Sequence, residues 1–492
     1  MNQMFKIRLQ NYIIIVSFLF NLSAHSQNKV HESISNLVSN PSNKNAKISF
    51  KAIDLATGKD VASYKSSLAI PSASTTKLFS TATAFQVLGS NFVTSTRIYC
   101  KGKIGKDSVL YGDIYIRGGG DVSLGSRFFC EKGKELAFLH RWTDSLKAKG
   151  IKKIQGSVIC DGSEFGYEGT PKSWDWDDIG NYYGAAAEGI NFFDNTIKIY
   201  FKTKGLGQKS EVLEIFPKIS NFSFKNDVLA GKVSDDNVIV FGANYSLNRY
   251  AQGFLPANQE RFEVKGSMPD PEYQLAEEWV KVLRSRNFDV RDGAKGMRSD
   301  KTSTKVNYAS DVKYLFLEKS KTVKEIAYWA NFKSVNLFAE GLLNYIGFSQ
   351  KNEGSTKASL IALEKFWTDK INFEGLVLKD GCGLSKENAI SATHFCDLLK
   401  YLYASKNYSD FKSTLPIAGV SGTIKNLCKG QAGEGRIFAK SGTISKVKSY
   451  AGYVVSKTGK NIAFAITVNN YSGSNSQVIT EIEKVLNELA NY

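Results

Sequence analysis

The sequence predicts an α/β domain cut in two by a long β-rich insertion, and three observations lead there. An apolar helical pattern lies near the front, at Thr75–Leu88. Three strand patterns and an amphipathic helix close the chain, at Ile437–Ala439, Tyr450–Val455, Ile462–Val468 and Gln477–Leu489. Between these two parts, from about 95 to 290, short alternating runs recur between Gly- and Asp-rich turns. A chain of 492 residues is too long for one ordinary core. Its hydrophobic content of 42% and charged content of 23% are those of a globular protein.

The first element predicted is a leader at residues 1–26. Lys6 and Arg8 supply a positive start, Tyr12–Phe20 a short apolar run, and Ala24 and Ser26 small residues where a signal peptidase could cut. The apolar run is about half the roughly 20 residues that a spanning helix needs, so the expectation is export with the leader removed. Ile48–Asp54 then alternates as a strand should, Ala56–Lys59 reads as a turn, and Val61–Tyr64 as the returning strand. Pro71-Ser-Ala-Ser74 leads into a helix with Leu78, Ala82, Phe85 and Leu88 on one face, and Gly89 stops it. Asp113–Arg117, Ser157–Cys160 and Thr196–Tyr200 are typical of the β-rich middle. Helical periodicity returns at Lys324–Leu343 and Ala392–Ala404.

The formal charge is +17, or +15 without Lys6 and Arg8. This balance permits peripheral contact with anionic envelope surfaces. The lysines are scattered and no nucleic-acid motif accompanies them, so nucleic acid is not an expected partner. Cys100, Cys130, Cys160, Cys382, Cys396 and Cys428 contain no C-x-x-C, which argues against a zinc site. In an exported chain they could be buried thiols or disulfides, and their pairing stays open.

The candidate chemistry emerges by elimination. Of four histidines, His25 and His31 fall in or just after the leader, and only His140 and His394 remain. No G-x-S-x-G elbow is present; Gly419-Val-Ser-Gly-Thr423 fails at its last position. A serine nucleophile here would therefore use a base other than histidine, and lysine is the alternative. Ser74 and Lys77 have the i, i+3 spacing that puts both on one helical face, and a helix start favours an anionic oxygen. The same spacing occurs at Ser409/Lys412 and Ser445/Lys448, but without an apolar helix following. A second element, Ser334-Val-Asn336, offers a hydroxyl and an amide between helical stretches. A third would place a lysine, a hydroxyl and a glycine on a strand beside the site, the lysine as a cation for a carboxylate and the glycine for close approach. Lys440-Ser441-Gly442-Thr443 fits that position, whereas Lys457-Thr-Gly459 sits between two apolar strands and reads as a hairpin turn.

With these three motifs in this order, the chain resembles the class C low-molecular-mass penicillin-binding proteins, the D-Ala-D-Ala carboxypeptidase/endopeptidase family. Gly112–Asp121, Trp174–Asp178 with Tyr183-Gly184, Asp380–Ser385 and Leu415–Gly419 also resemble family blocks and span most of residues 45–470. The gap from Ser74 to Ser334 is 334 − 74 = 260 residues, which that family fills with inserted domains. The sequence departs from the family pattern at Ser441, where threonine is usual, and at Cys382, where serine is common.

The resemblance implies a penicillin-binding transpeptidase/β-lactamase-like fold, an antiparallel sheet flanked by helices, formed by residues 27–94 and 291–492. It implies that 95–290 holds two small domains, with 116–184 nested in 95–115 plus 185–290. It implies Ser74 as nucleophile, Lys77 as general base, Ser334 and Lys440 as the proton relay, and Asn336, Ser441, Gly442 and Thr443 as the substrate-binding set. The implied substrates are peptidoglycan stem peptides or their cross-links, with β-lactams as covalent inhibitors and no cofactor or metal. Periplasmic or envelope localisation follows from the same likeness. The alternatives are a non-catalytic peptidoglycan-binding protein or sensor that keeps the fold, and, further off, a β-lactamase.

Overall fold

The computed structural model describes residues 27–299 and 306–492; the expected leader at 1–26 lies outside the described residues. Its body is a five-stranded sheet in which both ends of the chain meet. The strand order is Ile437–Ile444, Val447–Val455, Asn461–Asn469, Lys47–Asp54, Asp60–Tyr64, and every neighbouring pair is antiparallel. Phe50 stands opposite Ile466, so a strand near the front completes a sheet begun at the back.

The two faces of this sheet differ in side-chain size. Ile462, Phe464, Ile466 and Val468 face a core with Val30, Ile34 and Leu37 of the helical stretch 27–39 and with Ile482, Val485 and Leu489 of the helix Asn475–Asn491. The alternate positions, Ala463 and Ala465, face the second core with Ala451. Their small size lets the helix Ala392–Tyr403 lie close, and it brings Phe395, Leu398, Leu399 and Leu402 to that face.

Behind that face lies the helix Lys77–Val87, with nine of its eleven residues buried. Sequence periodicity gave it one apolar face, but neighbours cover it nearly all round. Its polar residues are accommodated locally. The Thr81 and Thr83 hydroxyls donate back to the carbonyls of Lys77 and Phe79 at 2.7 and 2.6 Å, and Trp367 Nε1 donates to Thr83 Oγ1 at 2.7 Å. The predicted helix over Lys324–Leu343 is two helices, Val323–Phe332 and Asn336–Lys351. The break at Lys333–Val335 includes Ser334 at a φ of 62°, a left-handed conformation that ends the first helix.

The insertion is richer in helix than its sequence suggested. A seven-stranded sheet holds Ser95–Ile104, Val109–Arg117, Lys153–Ile154, Val158–Asp161, Asp289–Val290, Ala294–Gly296 and Lys313–Lys319. The helices Ala137–Ala148 and Pro271–Ser285 meet through Trp142 and Trp279, whose ring centroids lie 5.1 Å apart edge to face. Asp270 capping Tyr273 N–H, followed by Pro271, was a readable helix-start signal. Two three-stranded sheets, built from Thr196–Phe216 and Phe262–Ser267 and from Ser223–Pro256, share a hydrophobic core with that larger sheet.

The nesting runs opposite to expectation. The small sheets, 196–267, are enclosed by the larger unit, because parallel pairing of Val290 with Ile154 and of Lys295 with Ile159 closes that unit from both sides. The boundary expected at 290/291 also falls within hydrogen-bonded sheet structure, since Lys313–Lys319 returns to pair with Ser95–Cys100. Short strands of two and three residues carry too little pattern to reveal such pairing from sequence.

Candidate active site

The 3₁₀ turn Ala73–Thr76 runs directly into the helix Lys77–Val87 and carries Ser74 at its outer side. Ala73 has a φ of 50°, so the chain turns sharply just before the serine. Ser74 is half-buried, whereas Thr75, Thr76 and Lys77 are buried. Lys77 Nζ lies 3.0 Å from Ser74 Oγ, 2.7 Å from Asn336 Oδ1 and 2.7 Å from the Cys382 carbonyl oxygen. Burial pushes the Lys77 ammonium below its ordinary pKa, and the neighbouring Cys382, Asp380 and Glu340 side chains oppose that shift.

Lys440 enters from the edge strand Ile437–Ile444 and is also fully buried. Its Nζ donates to Ser334 Oγ at 3.0 Å and to the Ser441 carbonyl at 2.7 Å. Burial, then the nearby charges of Lys77 and Lys448, push Lys440 well below the ordinary lysine range. Ser441 Oγ donates to Thr423 Oγ1 at 2.8 Å, and Lys448 Nζ donates to Thr443 Oγ1 at 2.8 Å. Lys448 itself is pushed down to about 8 by burial. Gly442 faces Ser449 across the strand pair, and a Cβ there would collide with the Ser72 carbonyl. This is the close approach that the glycine permits. Lys457 and Gly459, by contrast, lie in the turn between Val447–Val455 and Asn461–Asn469, away from the cleft.

A second layer of hydrogen bonds supports this arrangement. The Glu340 carboxylate accepts Gly381 N–H at 2.9 Å, and Asp380 accepts Gly383 N–H, Ser385 N–H, the Asn388 amide and Trp174 Nε1 at 2.7–2.9 Å. The loop 379–385 is thereby folded so that the Cys382 carbonyl points at Lys77. Cys382 is a buried free thiol, as are four of the remaining five cysteines; Cys130 is free and half-buried. Glu340, Asp380 and Cys382 bring three possible metal ligands within 4.8 Å of one another. Both Asp380 oxygens already receive N–H donors, so this cluster has the form of a brace and fits a metal poorly.

The insertion forms the other wall of the site. A cleft of about 880 Å³ is lined by Ser74, Ser334, Asn336 and Thr443 on one side, and by Asp177, Asp178, Tyr182 and Glu263 on the other. Asn336 Nδ2 donates to the Tyr183 carbonyl at 2.8 Å, which turns Oδ1 of the same amide toward Lys77. Of the eight residues singled out from sequence, Ser74, Ser334, Asn336 and Thr443 line this cleft. Lys77 and Lys440 lie behind it, hydrogen-bonded to Ser74, Asn336 and Ser334, and Ser441 and Gly442 share the strand with Thr443. Sequence reasoning missed Tyr183, Cys382 and Thr423 as partners, and also Lys448. Lys448 alone had a signal, lying opposite Thr443 in the strand pair. His394 is structural: its Nδ1 accepts Ser391 N–H at the start of Ala392–Tyr403.

Comparison with known proteins bears on what this geometry is for. The chain is 26% identical over 460 residues to a D-alanyl-D-alanine carboxypeptidase of Actinomadura sp. (strain R39), covering 90% of this chain and 82% of that one. It is 25% identical to the D-alanyl-D-alanine carboxypeptidase DacB of Haemophilus influenzae, covering 93% and 92%. The crystal structure of penicillin binding protein 4 from Haemophilus influenzae superposes with a TM-score of 0.78 at 22% identity, covering 93% of this chain and 99% of that one. The likeness extends through the insertion as well as the body. The sequence model of the D-Ala-D-Ala carboxypeptidase 3 (S13) family matches residues 30–491, and the chain belongs to that family.

Proposed function

We propose that this chain is a penicillin-sensitive, serine-type D-Ala-D-Ala carboxypeptidase/endopeptidase that acts on peptidoglycan stem peptides through an acyl-enzyme on Ser74. One observation carries the assignment of the nucleophile: the buried Lys77 Nζ at 3.0 Å from Ser74 Oγ, with no histidine at the site. A neutral amine has two N–H groups and one lone pair. Asn336 Oδ1 and the Cys382 carbonyl, each at 2.7 Å, take the two N–H groups and leave the lone pair facing the Ser74 hydroxyl.

Ser74 Oγ then attacks the carbonyl between the terminal D-alanines, or the D-alanyl cross-link, while Lys77 takes its proton. The N–H groups of Ser74 and Thr443 stabilise the oxyanion, with each such donor worth about 3–4 kcal/mol. Ser334, held by Lys440, gives its proton to the leaving amine as the C–N bond breaks and regains the one that Lys77 took from Ser74, which leaves Lys77 neutral again. Lys440, Ser441 and Thr443 hold the terminal carboxylate, Gly442 allows it to approach the strand, and Asn336 holds the peptide amide. Water then cleaves the ester and restores Ser74.

The catalytic domain is formed by the two outer parts of the chain, with the insertion as a separate unit that faces the substrate. Residues 1–26 are a signal peptide and the mature protein works outside the cytoplasm, in the periplasm or at the cell envelope. No described helix is long and apolar enough to cross a membrane. The relationship to the Actinomadura and Haemophilus carboxypeptidases supports the substrate class, and the Haemophilus penicillin-binding protein has been solved with a bound β-lactam.

The test is covalent labelling of the mature protein with a fluorescent penicillin, followed by peptide mapping. A stable adduct on Ser74 is expected, and none on a folded Ser74→Ala protein. A folded wild-type protein that forms no adduct would point instead to a non-catalytic peptidoglycan-binding protein.

A further inference from the structure

Trp176 is 70% exposed, yet it is held in place. It opens the short helix Trp176–Ile179, and its ring stacks on Phe241 with centroids 4.6 Å apart and an interplanar angle of 29°. Phe241 in turn stacks on Tyr250 at 5.7 Å and 22°, and Lys225 Nζ lies 5.3 Å from the Tyr250 ring centre. The result is a ladder of three nearly parallel rings whose last member is an open indole. What sets this exposed side chain apart is the support: the stacked rings beneath it hold the indole as a flat, accessible face.

The surroundings are polar and rigid. A depression of about 550 Å³ beside the ladder is lined by Ser223, Ser246 and Asn248 as well as by the aromatic rings. The buried Arg249 guanidinium donates to the carbonyls of Ala243, Ser246 and Asn248 at 2.8–3.2 Å, which fixes the loop that carries those polar groups. An exposed flat ring flanked by hydroxyls and an amide suits a pyranose. The apolar C–H face of the sugar lies on the indole, and its equatorial hydroxyl and acetamido groups find partners at the edge.

Position favours the same occupant. Asp177 and Asp178, the next residues after Trp176, line the candidate active-site cleft, while Trp176 itself looks outward onto the depression. The cleft and the depression therefore lie on neighbouring sides of the same short helix. A peptidoglycan stem peptide is covalently attached to an amino-sugar chain, so a peptide held in the cleft places that chain near its rim.

We propose that Trp176, supported by Phe241 and Tyr250, is a glycan-binding platform that takes the amino-sugar backbone of the substrate outside the catalytic cleft. This rests on the stem-peptide reading for its biological role, but the binding site can be tested without it. The probe is a β-1,4-linked N-acetylglucosamine tetramer, titrated onto the mature protein before and after acylation with penicillin. Binding is expected in both states. Trp176→Ala should weaken it by roughly three- to tenfold, the range of one lost aromatic stacking contact, while Trp176→Phe retains most of it. With paired substrates, the alanine variant should raise KM for a disaccharide-linked pentapeptide by a similar factor, with kcat and the rate on the free pentapeptide unchanged.

The platform is overturned if the tetramer does not bind, if acylation displaces it, or if Trp176→Ala binds as well as wild type. An equal loss on free and sugar-linked peptide would also overturn it, since Trp176 would then serve the peptide. If instead the wild type neither acylates nor hydrolyses free peptide but still binds the tetramer through Trp176, the glycan site stands and the peptidase reading falls.

Discussion

The two walls of the cleft handle charge in opposite ways. On the body side, Lys77, Lys440 and Lys448 are all buried, and burial is the largest cause of the depressed pKa of each. On the insertion side, Asp177, Asp236, Glu263 and Lys265 line the same space at or near the surface, where solvent screens their charges. In the proposed mechanism the proton-transfer groups therefore sit where packing has removed water, while the charges of the opposite wall sit where water remains. Buried cations can surrender a proton and so act as bases. Exposed charges can only attract or repel what arrives.

The largest predicted effect is on the dry wall. Lys77→Ala should lower the rate of penicillin acylation by at least about a thousandfold, within the range for loss of a general base, without loss of the fold. Thermal melting alongside adduct formation checks both parts. A Lys77→Ala protein that acylates normally would place the base elsewhere and erase the contrast between the walls. Gly442→Ala should come next. The added methyl collides with the Ser72 carbonyl, so overpacking of about 1–3 kcal/mol is expected, read as a lower Tm together with slower acylation.

The link between the walls should show a smaller cost. Trp174→Phe removes the 2.9 Å donor from the buried Asp380, which should lower unfolding free energy by about 1–3 kcal/mol in denaturant titration. Loss of acylation beyond the loss of stability would show that the insertion positions the loop carrying the Cys382 carbonyl. At the exposed end, Lys386→Ala removes a surface ion pair with Asp175. It should change stability by less than about 1 kcal/mol, and high salt should erase even that.

Two pH effects of opposite sign sharpen the comparison. Acylation needs neutral Lys77, so its rate should fall as pH falls and the lysine regains its proton. Glu340 behaves in reverse. Burial, reinforced by Asp380, pushes it up to about 8 from an ordinary 4.5. Between those values the folded state holds a proton that the unfolded chain has released, so this contribution to stability is full below about 4.5 and lost as pH rises through about 8. Glu340→Gln should flatten that part of the Tm–pH curve relative to wild type.

Much of the body was legible from local pattern. Alternation marked the strands at 48–54 and 462–468, because a half-buried strand repeats every two residues. The strand context separated Lys440 from Lys457, which a motif search alone would have preferred. The insertion was read less well. Its strands of two and three residues carry no usable period, and Ala137–Ala148 and Pro271–Ser285 were passed over in a region dominated by alternation.

The sequence by itself determined which side chains could share the site: Ser74 and Lys77 by helical spacing, Ser334 and Asn336 by their S-x-N spacing, and Lys440 to Thr443 by one strand. Each depends on residue identity and short-range geometry, which a sequence carries. Only the tertiary structure decided what holds Lys77. Two of the decisive acceptors, the Cys382 and Tyr183 carbonyls, belong to the backbone, and every residue has one. Where a carbonyl points depends on chain segments more than 150 residues apart closing on one another, and so does the burial that lowers a lysine pKa.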